Sequence, residues 1–331
     1  MRTDEILLLT PREVQSLLTL DECIAAVEQA LRLYGEGRAA PPAMLSMHSS
    51  AGGFHIKAGL LDLDRRYFAA KMNGNFPENN ARFGLPTIQG VIVLCDAENG
   101  TPLAVMDSRD ITSLRTAAAT AVAAKYLARP DSRIATVCGC GNQGRVQLKA
   151  LSRVRQLEAV FAYDKSAERA QRFAHELTAE VRVSVTPVLD LALAVQQSDI
   201  CVTCTTSQQP LLGLGDVRPG TFIAAVGADN PQKQEIHPLL MAHSKIVVDI
   251  LEQCAVMGDL HHALESGFVT QADVHAELGE VVAGKKPGRE SQEEITIFDS
   301  TGMALQDVAA AAILYEKAER LGSGVRLNFA A

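Results

Sequence analysis

The glycines of Arg133-Ile-Ala-Thr-Val-Cys-Gly-Cys-Gly-Asn-Gln-Gly144 are spaced to cradle a pyrophosphate. Residues 133–138 read as a short apolar strand. Gly139-x-Gly141-x-x-Gly144 is the turn, and Asn142 to about Val154 is the helix it opens, with Gln143 in the first turn. Glycine lets the backbone approach an anion, and the helix N-terminus offers bare N–H groups and the positive end of its dipole. Roughly 20 residues further on, Asp164 closes the next apolar run, Val160-Phe-Ala-Tyr-Asp164. A carboxylate there accepts the ribose 2′-OH and repels a 2′-phosphate, which favours NAD over NADP. Lys165 and Arg169 beside it pull the other way.

Three further residues could do chemistry. Lys71 stands in an apolar run, Tyr67-Phe-Ala-Ala-Lys-Met72. A buried ammonium without a partner is costly, so a lone lysine there points to a site rather than to plain core. Arg115 lies on an alanine-rich helix, and a guanidinium fork suits a carboxylate. Asp229 follows Ala224-Ala-Val-Gly-Ala228, at the carboxyl end of an expected parallel strand where open α/β sheets bind ligands. Cys201-x-x-Cys204 alternates like a buried strand, and no second pair completes a zinc site, so no metal is expected.

The elements that must position these residues fall into two patterns. A helix from about Thr19 to Tyr34 carries Ile24, Val27, Leu31 and Tyr34 on one face, and Gly35 stops it. Strand-like runs follow at Ala43–His48, Phe54–Gly59, Tyr67–Met72, Thr87–Asp96 and Pro102–Met106, with Gly52-Gly53 and Glu98-Asn-Gly100 as hairpin turns. This predicts a mostly antiparallel sheet fronted by a helix. Thr112–Ala128 reads as a helix capped by Thr112, ended by Pro130, and joining two domains. From Arg133 strands and helices alternate. Strands are expected near 133–138, 158–163, 181–185, 199–204, 221–226 and 245–249. Helices are expected near 142–154, 166–177, 187–197 and 232–242, with Pro187 at a first helical position. That alternation predicts a parallel sheet covered on both faces. After one more strand at Ile295–Phe298, a last helix near Met303–Leu321 is expected to return to the first domain.

With 331 residues the chain is long enough for two domains. A net charge of −8 disfavours nucleic acid or an anionic membrane as partner. Residues Met1–Thr10, short and carrying Asp4 and Glu5, are not expected to act as a secretory leader, and no apolar run approaches the about 20 residues of a membrane span. The seven scattered cysteines suit free thiols in a reducing cytoplasm.

Several strings together resemble the ornithine cyclodeaminase and mu-crystallin family. They are Gly139-x-Gly141-x-Gln143, Lys71-Met-Asn-Gly-Asn-Phe-Pro77, Gly84-Leu-Pro-Thr-Ile-Gln-Gly90 and Asp96-Ala-Glu-Asn-Gly-Thr-Pro102. Leu114-Arg-Thr-Ala-Ala118, Gly227-Ala-Asp-Asn-Pro-Gln-Lys-Gln-Glu235 and Phe298-Asp-Ser-Thr-Gly302 complete the set, in the family's order along nearly the whole chain. The resemblance implies an α/β fold, a Rossmann-type doubly wound parallel sheet inserted into an α+β substrate domain. Residues 1–115 with 305–331 would form the substrate-binding and dimerisation domain of a homodimer, and 116–304 the NAD-binding domain. It implies chemistry at an imine beside a carboxylate. Lys71 and Asp229 are the expected catalytic groups, and Lys71, Arg115 and Lys57 the expected substrate contacts. Arg115, Thr87, Ser207, Val226, Lys233 and Ser300 join Gly139, Gly141, Asn142, Gln143, Gly144 and Asp164 as expected cofactor contacts.

Two departures bear on the substrate. Pro41-Pro-Ala-Met44 stands where many members carry Pro-Pro-Arg or Pro-Pro-Lys, so one carboxylate-binding cation is missing at Ala43 or Met44. Phe54-His-Ile-Lys-Ala58 brings in Lys57 where many members have His-Ala-Met-Pro. Either the charge has moved, or Lys57 recognises a second carboxylate, as in iminosuccinate. The expected function is NAD(H)-dependent reduction of a small α-imino acid or the reverse amino-acid dehydrogenation. The alternatives are ornithine or lysine cyclodeamination with recycled NAD, and a non-catalytic, mu-crystallin-like dinucleotide-binding protein.

Overall fold

The computed structural model describes residues 5–328. Residues 1–4 and 329–331, which the expected first domain and the leader reading include in part, lie outside the described residues. The chain divides into two compact units, Met1–Arg115 with Met303–Ala331, and Thr116–Gly302. The return to the first unit falls at Met303, against an expected 305.

In chain order the elements of the first unit are β1 (Glu5–Leu9), α1 (Pro11–Leu17), α2 (Leu20–Gly35), β2 (Ala43–Ser49), β3 (Gly52–Asp62), β4 (Arg66–Asn75), α3 (Asn79–Phe83), β5 (Ile88–Asp96) and β6 (Pro102–Asp107). Helix α4 (Arg109–Leu127) carries the chain into the second unit. There follow β7 (Ile134–Cys138), α5 (Asn142–Val154), β8 (Ala159–Tyr163), α6 (Ala167–Val181), β9 (Ser184–Pro187), α7 (Leu191–Gln196), β10 (Ile200–Thr203), β11 (Gln208–Leu212), β12 (Phe222–Ala225) and β13 (Gln234–Ile236). Then come α8 (Pro238–Ala242), β14 (Lys245–Val248), α9 (Leu251–Cys254), α10 (Asp259–Glu265), β15 (Val274–Glu277), α11 (Leu278–Val282) and β16 (Thr296–Asp299). Helix α12 (Ala304–Leu321) and β17 (Val325–Asn328) close the first unit.

The first unit is a seven-stranded sheet in the order β17-β1-β6-β5-β4-β3-β2, antiparallel except for the parallel β1–β6 pair. Helices α1 and α2 each begin with a capping box, Thr10 with Glu13 and Thr19 with Glu22. In each, the hydroxyl takes an orphan N–H and the glutamate returns the bond. Helix α12 packs on β3 and β4 and against α2. Gly59 permits that approach, since a Cβ there would sit 2.8 Å from Leu305 Cδ2. Tyr67 donates its hydroxyl to Glu316, and Lys317 pairs with Glu22, tying α12 to the sheet and to α2.

The second unit is an eight-stranded parallel sheet, β15-β14-β16-β12-β10-β7-β8-β9. From the β9 edge the order is third, second, first, fourth, fifth strand of this sheet, β11 pairing separately with β13, so the direction of winding reverses between β7 and β10. That reversal opens a crevice at the carboxyl ends of the strands. The four residues of β10, and likewise of β12, are all buried, as two-sided cover requires. This is the expected fold class.

Several element readings are corrected. Helix α4 starts at Arg109, so Thr112 lies inside it rather than at its N-cap, and its N–H donates to Ser108 O. The strand expected near 181–185 is shifted to Ser184–Pro187, because α6 runs on to Val181. Pro187 therefore ends an edge strand, where a missing N–H is harmless. Asp190, not proline, caps α7. The helix expected over 232–242 is a short strand followed by a five-residue helix. The hairpin expected at Gly52-Gly53 turns at residues 50 and 51, and both glycines belong to β3. Strands β1 and β17 and helix α1 went unread.

Candidate active site

In the second unit, the crevice holds a cavity of about 270 Å³ lined by Gly139, Gly141, Asp164, Arg169, Thr205 and Ser207 among others. Gly139 has φ +105°, and a Cβ there would meet Cys204 O at 2.8 Å, so only glycine fits. Gly144 packs so tightly that a Cβ would lie 2.1 Å from Gly139 O, which sets the helix close against the turn. Gly141 differs. Its φ of −83° suits any residue, and nothing lies within 4 Å of a Cβ built there. The space beside it is open for a ligand. Gly141 is also the N-cap of α5, and no side chain caps that helix. Asn142 and Gln143 form its first turn. An uncapped helix end, a crevice and a wall of glycine fit the pyrophosphate of a dinucleotide.

Asp164 follows β8 at the crevice. Its Oδ2 accepts Cys140 N–H at 3.0 Å and its Oδ1 accepts Ser166 N–H at 3.0 Å, so the carboxylate is held in one orientation. Arg169 Nη1 stands 3.7 Å away. Asp229 follows β12 and pairs with Lys233, Nζ to Oδ1 at 2.6 Å. The turn cap before Pro231 comes from Asn230, whose Oδ1 accepts Gln232 and Lys233 N–H, leaving the Asp229 carboxylate half exposed. Val226 is buried and donates its N–H to Thr203 O. Ser300 is buried and donates its hydroxyl to Asp249 Oδ2 at 3.1 Å.

In the first unit, strand register lines up Met44, Lys57, Lys71 and Ile92 directly opposite one another across β2, β3, β4 and β5. Facing residues in register lie on one side of the sheet. Lys71 is 3 % exposed and Arg115 5 %. Both meet Asp307 on α12: Lys71 Nζ lies 2.9 Å from Oδ1 and 2.8 Å from Oδ2, and Arg115 Nε lies 3.1 Å from Oδ1. Arg115 Nη1 donates to Gln306 Oε1 at 2.9 Å. Burial, and then the Arg115 and Lys57 charges, push the Lys71 ammonium down to about 7, against the pull of Asp307. Burial alone would raise the Asp307 carboxyl, but Arg115, Lys71 and Lys57 hold it below the usual range. Two basic groups thus pair with one carboxylate and a third, Lys57, is near enough for its charge to be felt by both Lys71 and Asp307. Thr87, by contrast, is exposed, and its carbonyl accepts Phe76 N–H.

Sequence reading found the three cations but missed Asp307 and Gln306, which aim two of them. The signal was present. Gln306-Asp307 is a polar pair at the start of an otherwise apolar helix, Val308-Ala-Ala-Ala-Ala-Ile-Leu314. All seven cysteines are free, and no His, Cys, Asp and Glu group among the described residues is arranged to hold a metal.

One unit with a doubly wound sheet and a crevice fit for a dinucleotide, and another whose sheet carries buried cations paired to one carboxylate, define a class of nucleotide-dependent enzymes. The model of the ornithine cyclodeaminase/mu-crystallin family matches residues 4–322, and this chain belongs to that family. Alanine dehydrogenase of Archaeoglobus fulgidus is 42% identical over 326 residues, covering 98% of this chain and 99% of that one. An archaeal alanine dehydrogenase dimer with bound NAD superposes with a TM-score of 0.93, at 42% identity over 98% of this chain and 99% of that one. The Δ1-pyrroline-2-carboxylate reductase of Thermococcus litoralis, in complex with NADH and L-proline, superposes with a TM-score of 0.92. It is 35% identical and covers 97% of this chain and 99% of that one.

Proposed function

We propose that this protein is an NAD(H)-dependent reductase of a small α-imino acid, which in reverse is an amino-acid dehydrogenase. The cluster of Lys57, Lys71 and Arg115 around Asp307 carries the reading. An α-imino acid needs its carboxylate fixed and its nitrogen protonated on schedule. Arg115 and the two lysines hold the carboxylate by charge-assisted hydrogen bonds. Asp307 and Gln306 hold Arg115 and Lys71 in place before the substrate arrives, so little is lost in ordering them. Asp229, with Lys233 fixing its carboxylate, exchanges the proton at the substrate nitrogen.

Gly139, Gly141, Asn142, Gln143 and Gly144 would receive the pyrophosphate, and Asp164 the adenosine ribose, which favours NAD over NADP. When bound, NADH supplies the hydride. Ser207 borders the same cavity, while Val226, Lys233 and Ser300 act through the loops they hold. Met44 and Lys57 are cross-strand partners, which favours the view that the family's missing cation has moved one strand over. The cluster then serves one carboxylate, and a monocarboxylic imine suits it better than iminosuccinate. Ornithine or lysine would set a cationic tail beside Lys57 and Lys71.

On the opposite face of the same sheet, Leu45, Ile56, Met72 and Val91 form a register row. Leu45, Met72 and Val91 in that row, with Met47 and Phe54, are exposed. A contiguous exposed apolar patch favours an interface, here that of a homodimer. Free thiols favour a reducing compartment such as the cytoplasm, and no helix among the described residues is long and apolar enough to cross a membrane.

The test is NADH oxidation by purified protein with ammonia and a panel of 2-oxo acids, and with preformed cyclic imines. Turnover with at least one small monocarboxylic substrate is expected. Ammonia release from ornithine or lysine without net NADH change would replace this reading by cyclodeamination. NADH binding without turnover on any substrate would replace it by a non-catalytic role.

A further inference from the structure

In the second unit, three buried carboxylates each take a pair of backbone N–H groups, one after another. Asp299, at the end of β16, accepts Asp259 N–H at 3.4 Å and Leu260 N–H at 2.8 Å, the first residues of α10. Asp259 Oδ1 accepts Glu235 and Ile236 N–H, both at 2.8 Å, in β13. Glu235 then divides its carboxylate: Oε1 accepts Thr205 N–H at 2.6 Å and Oε2 accepts Gly227 N–H at 2.9 Å. Thr205 lies just beyond β10 and lines the dinucleotide cavity with Thr206 and Ser207. Gly227 lies just beyond β12, two residues before Asp229. Glu235 is fully buried, and a Cβ at Gly227 would stand 2.6 Å from its Cδ, so the clamp closes only on glycine.

We propose that Glu235 is a positioning residue, whose carboxylate locks the cavity-wall loop at 205–207 and the Asp229 loop at 227–229 to one another. It rests on the functional reading above for its catalytic consequence, though not for the clamp itself. Each carboxylate oxygen holds one loop, so neither loop shifts without breaking a charge-assisted bond in a water-poor interior. The far side of the Asp229 loop is fixed as well. His262 donates from Nε2 to Lys233 O at 2.9 Å, and Lys233 grips Asp229. Burial, and then the charge of Glu235, push Asp259 up to about 7, and its Oδ2 makes no hydrogen bond among the described residues. Burial raises the Glu235 carboxyl as well, opposed by the Thr205 and Gly227 N–H bonds that favour its charged form.

Glu235→Gln keeps the shape but offers one acceptor and sets an NH₂ against the other N–H. Amide hydrogen exchange should speed up at residues 205–207 and 227–229. NADH should bind about tenfold more weakly, and kcat should fall on the order of 10- to 100-fold through misplacement alone. Asp199→Asn is the control. Asp199 is another buried carboxylate, paired with Arg129 and Arg218, that accepts Arg133 and Ile134 N–H at the opposite end of the sheet. It should lower the melting temperature and speed exchange at 133–134 while leaving NADH affinity unchanged. Where Glu235→Gln does not accumulate, Gly227→Ala forces the clamp from the other side and should show the same signature. Unchanged exchange at both loops overturns the clamp. Faster exchange with wild-type NADH affinity and kcat overturns the positioning role. If the wild-type protein binds no NADH, the functional reading fails, and the exchange data still decide the clamp.

Discussion

Replacing Lys57 by methionine removes one of three basic groups from the proposed carboxylate site without touching the Asp307 pairs of the other two. Lys57 is only half-buried, and its charge is felt by both Lys71 and Asp307, so it reaches the cluster without being enclosed by it. A hydrogen bond to a charged group contributes about 1.5–3 kcal/mol. At about 1.4 kcal/mol per tenfold, kcat/KM for a small imino acid should fall about 10- to 100-fold. The loss should appear mainly in KM, because the carboxylate is held alike in ground and transition states. The same structure offers a rescue. Met44 faces Lys57 in register, with side chains of facing residues about 5 Å apart at their base, a gap that a lysine stem of four carbons covers. Met44→Lys in the Lys57→Met background should therefore restore about tenfold of the loss. Steady-state kinetics with NADH, ammonia and a monocarboxylic 2-oxo acid measure both effects, and NADH titration confirms an intact second unit. A Lys57→Met enzyme within twofold of wild type refutes the carboxylate role. A loss confined to dicarboxylic substrates shows instead that Lys57 reads a second carboxylate.

Other outcomes follow from the same geometry. Asp229→Asn should lower kcat by about 10²–10⁴ while NADH affinity holds, and unchanged turnover would remove Asp229 from proton transfer. Asp164→Ala should relax the preference for NAD towards NADP; a wild type that already prefers NADPH contradicts the reading of that carboxylate. Burial and then the Arg115 charge hold the Lys71 ammonium down at about 7, and a substrate carboxylate placed beside it should raise it. Above pH 7 the amine is largely neutral and must gain a proton as substrate binds; below pH 6 it already carries one. Calorimetry in buffers of differing ionisation enthalpy should show proton uptake at pH 8 that vanishes at pH 6, and no uptake at pH 8 would place the ammonium there already. Met72→Glu, on the exposed apolar row, should shift the protein from dimer to monomer in light scattering, and an unchanged mass would clear that face of the interface role.

Much of this was legible in local sequence because local physics sets it. The α5 helix spans the expected residues, because its start is fixed by a glycine turn and its end by a change of period. The central strands of both sheets were found for the same reason. The misread elements lacked a local signal of their own. Strands β1 and β17 pair with each other across nearly the whole chain, Glu5 with Asn328, and neither sequence announces a partner. Pro187 looked like a helix start until β8 and β9 drew it into an edge strand. Residues 234–236 take strand form because Asp259 and β11 supply their partners, which no helical spacing foretells.

The sequence by itself determined the glycine turn of the dinucleotide crevice, the carboxylate at the end of the next strand, and the lysines and arginine that gather in the first unit. Glycine at a turn and charge in an apolar run carry their reasons with them, in backbone freedom and in the cost of burying an ion. Only the tertiary structure decided how those charges are used. Asp307 stands 236 positions from Lys71 along the chain, and packing of α12 on the sheet alone brings it to that ammonium. Strand register, set by the pairing of β2 with β3, makes Lys57 the neighbour of Met44. The carboxylates that clamp the loops of the second unit meet the N–H groups they hold only after the parallel sheet has assembled.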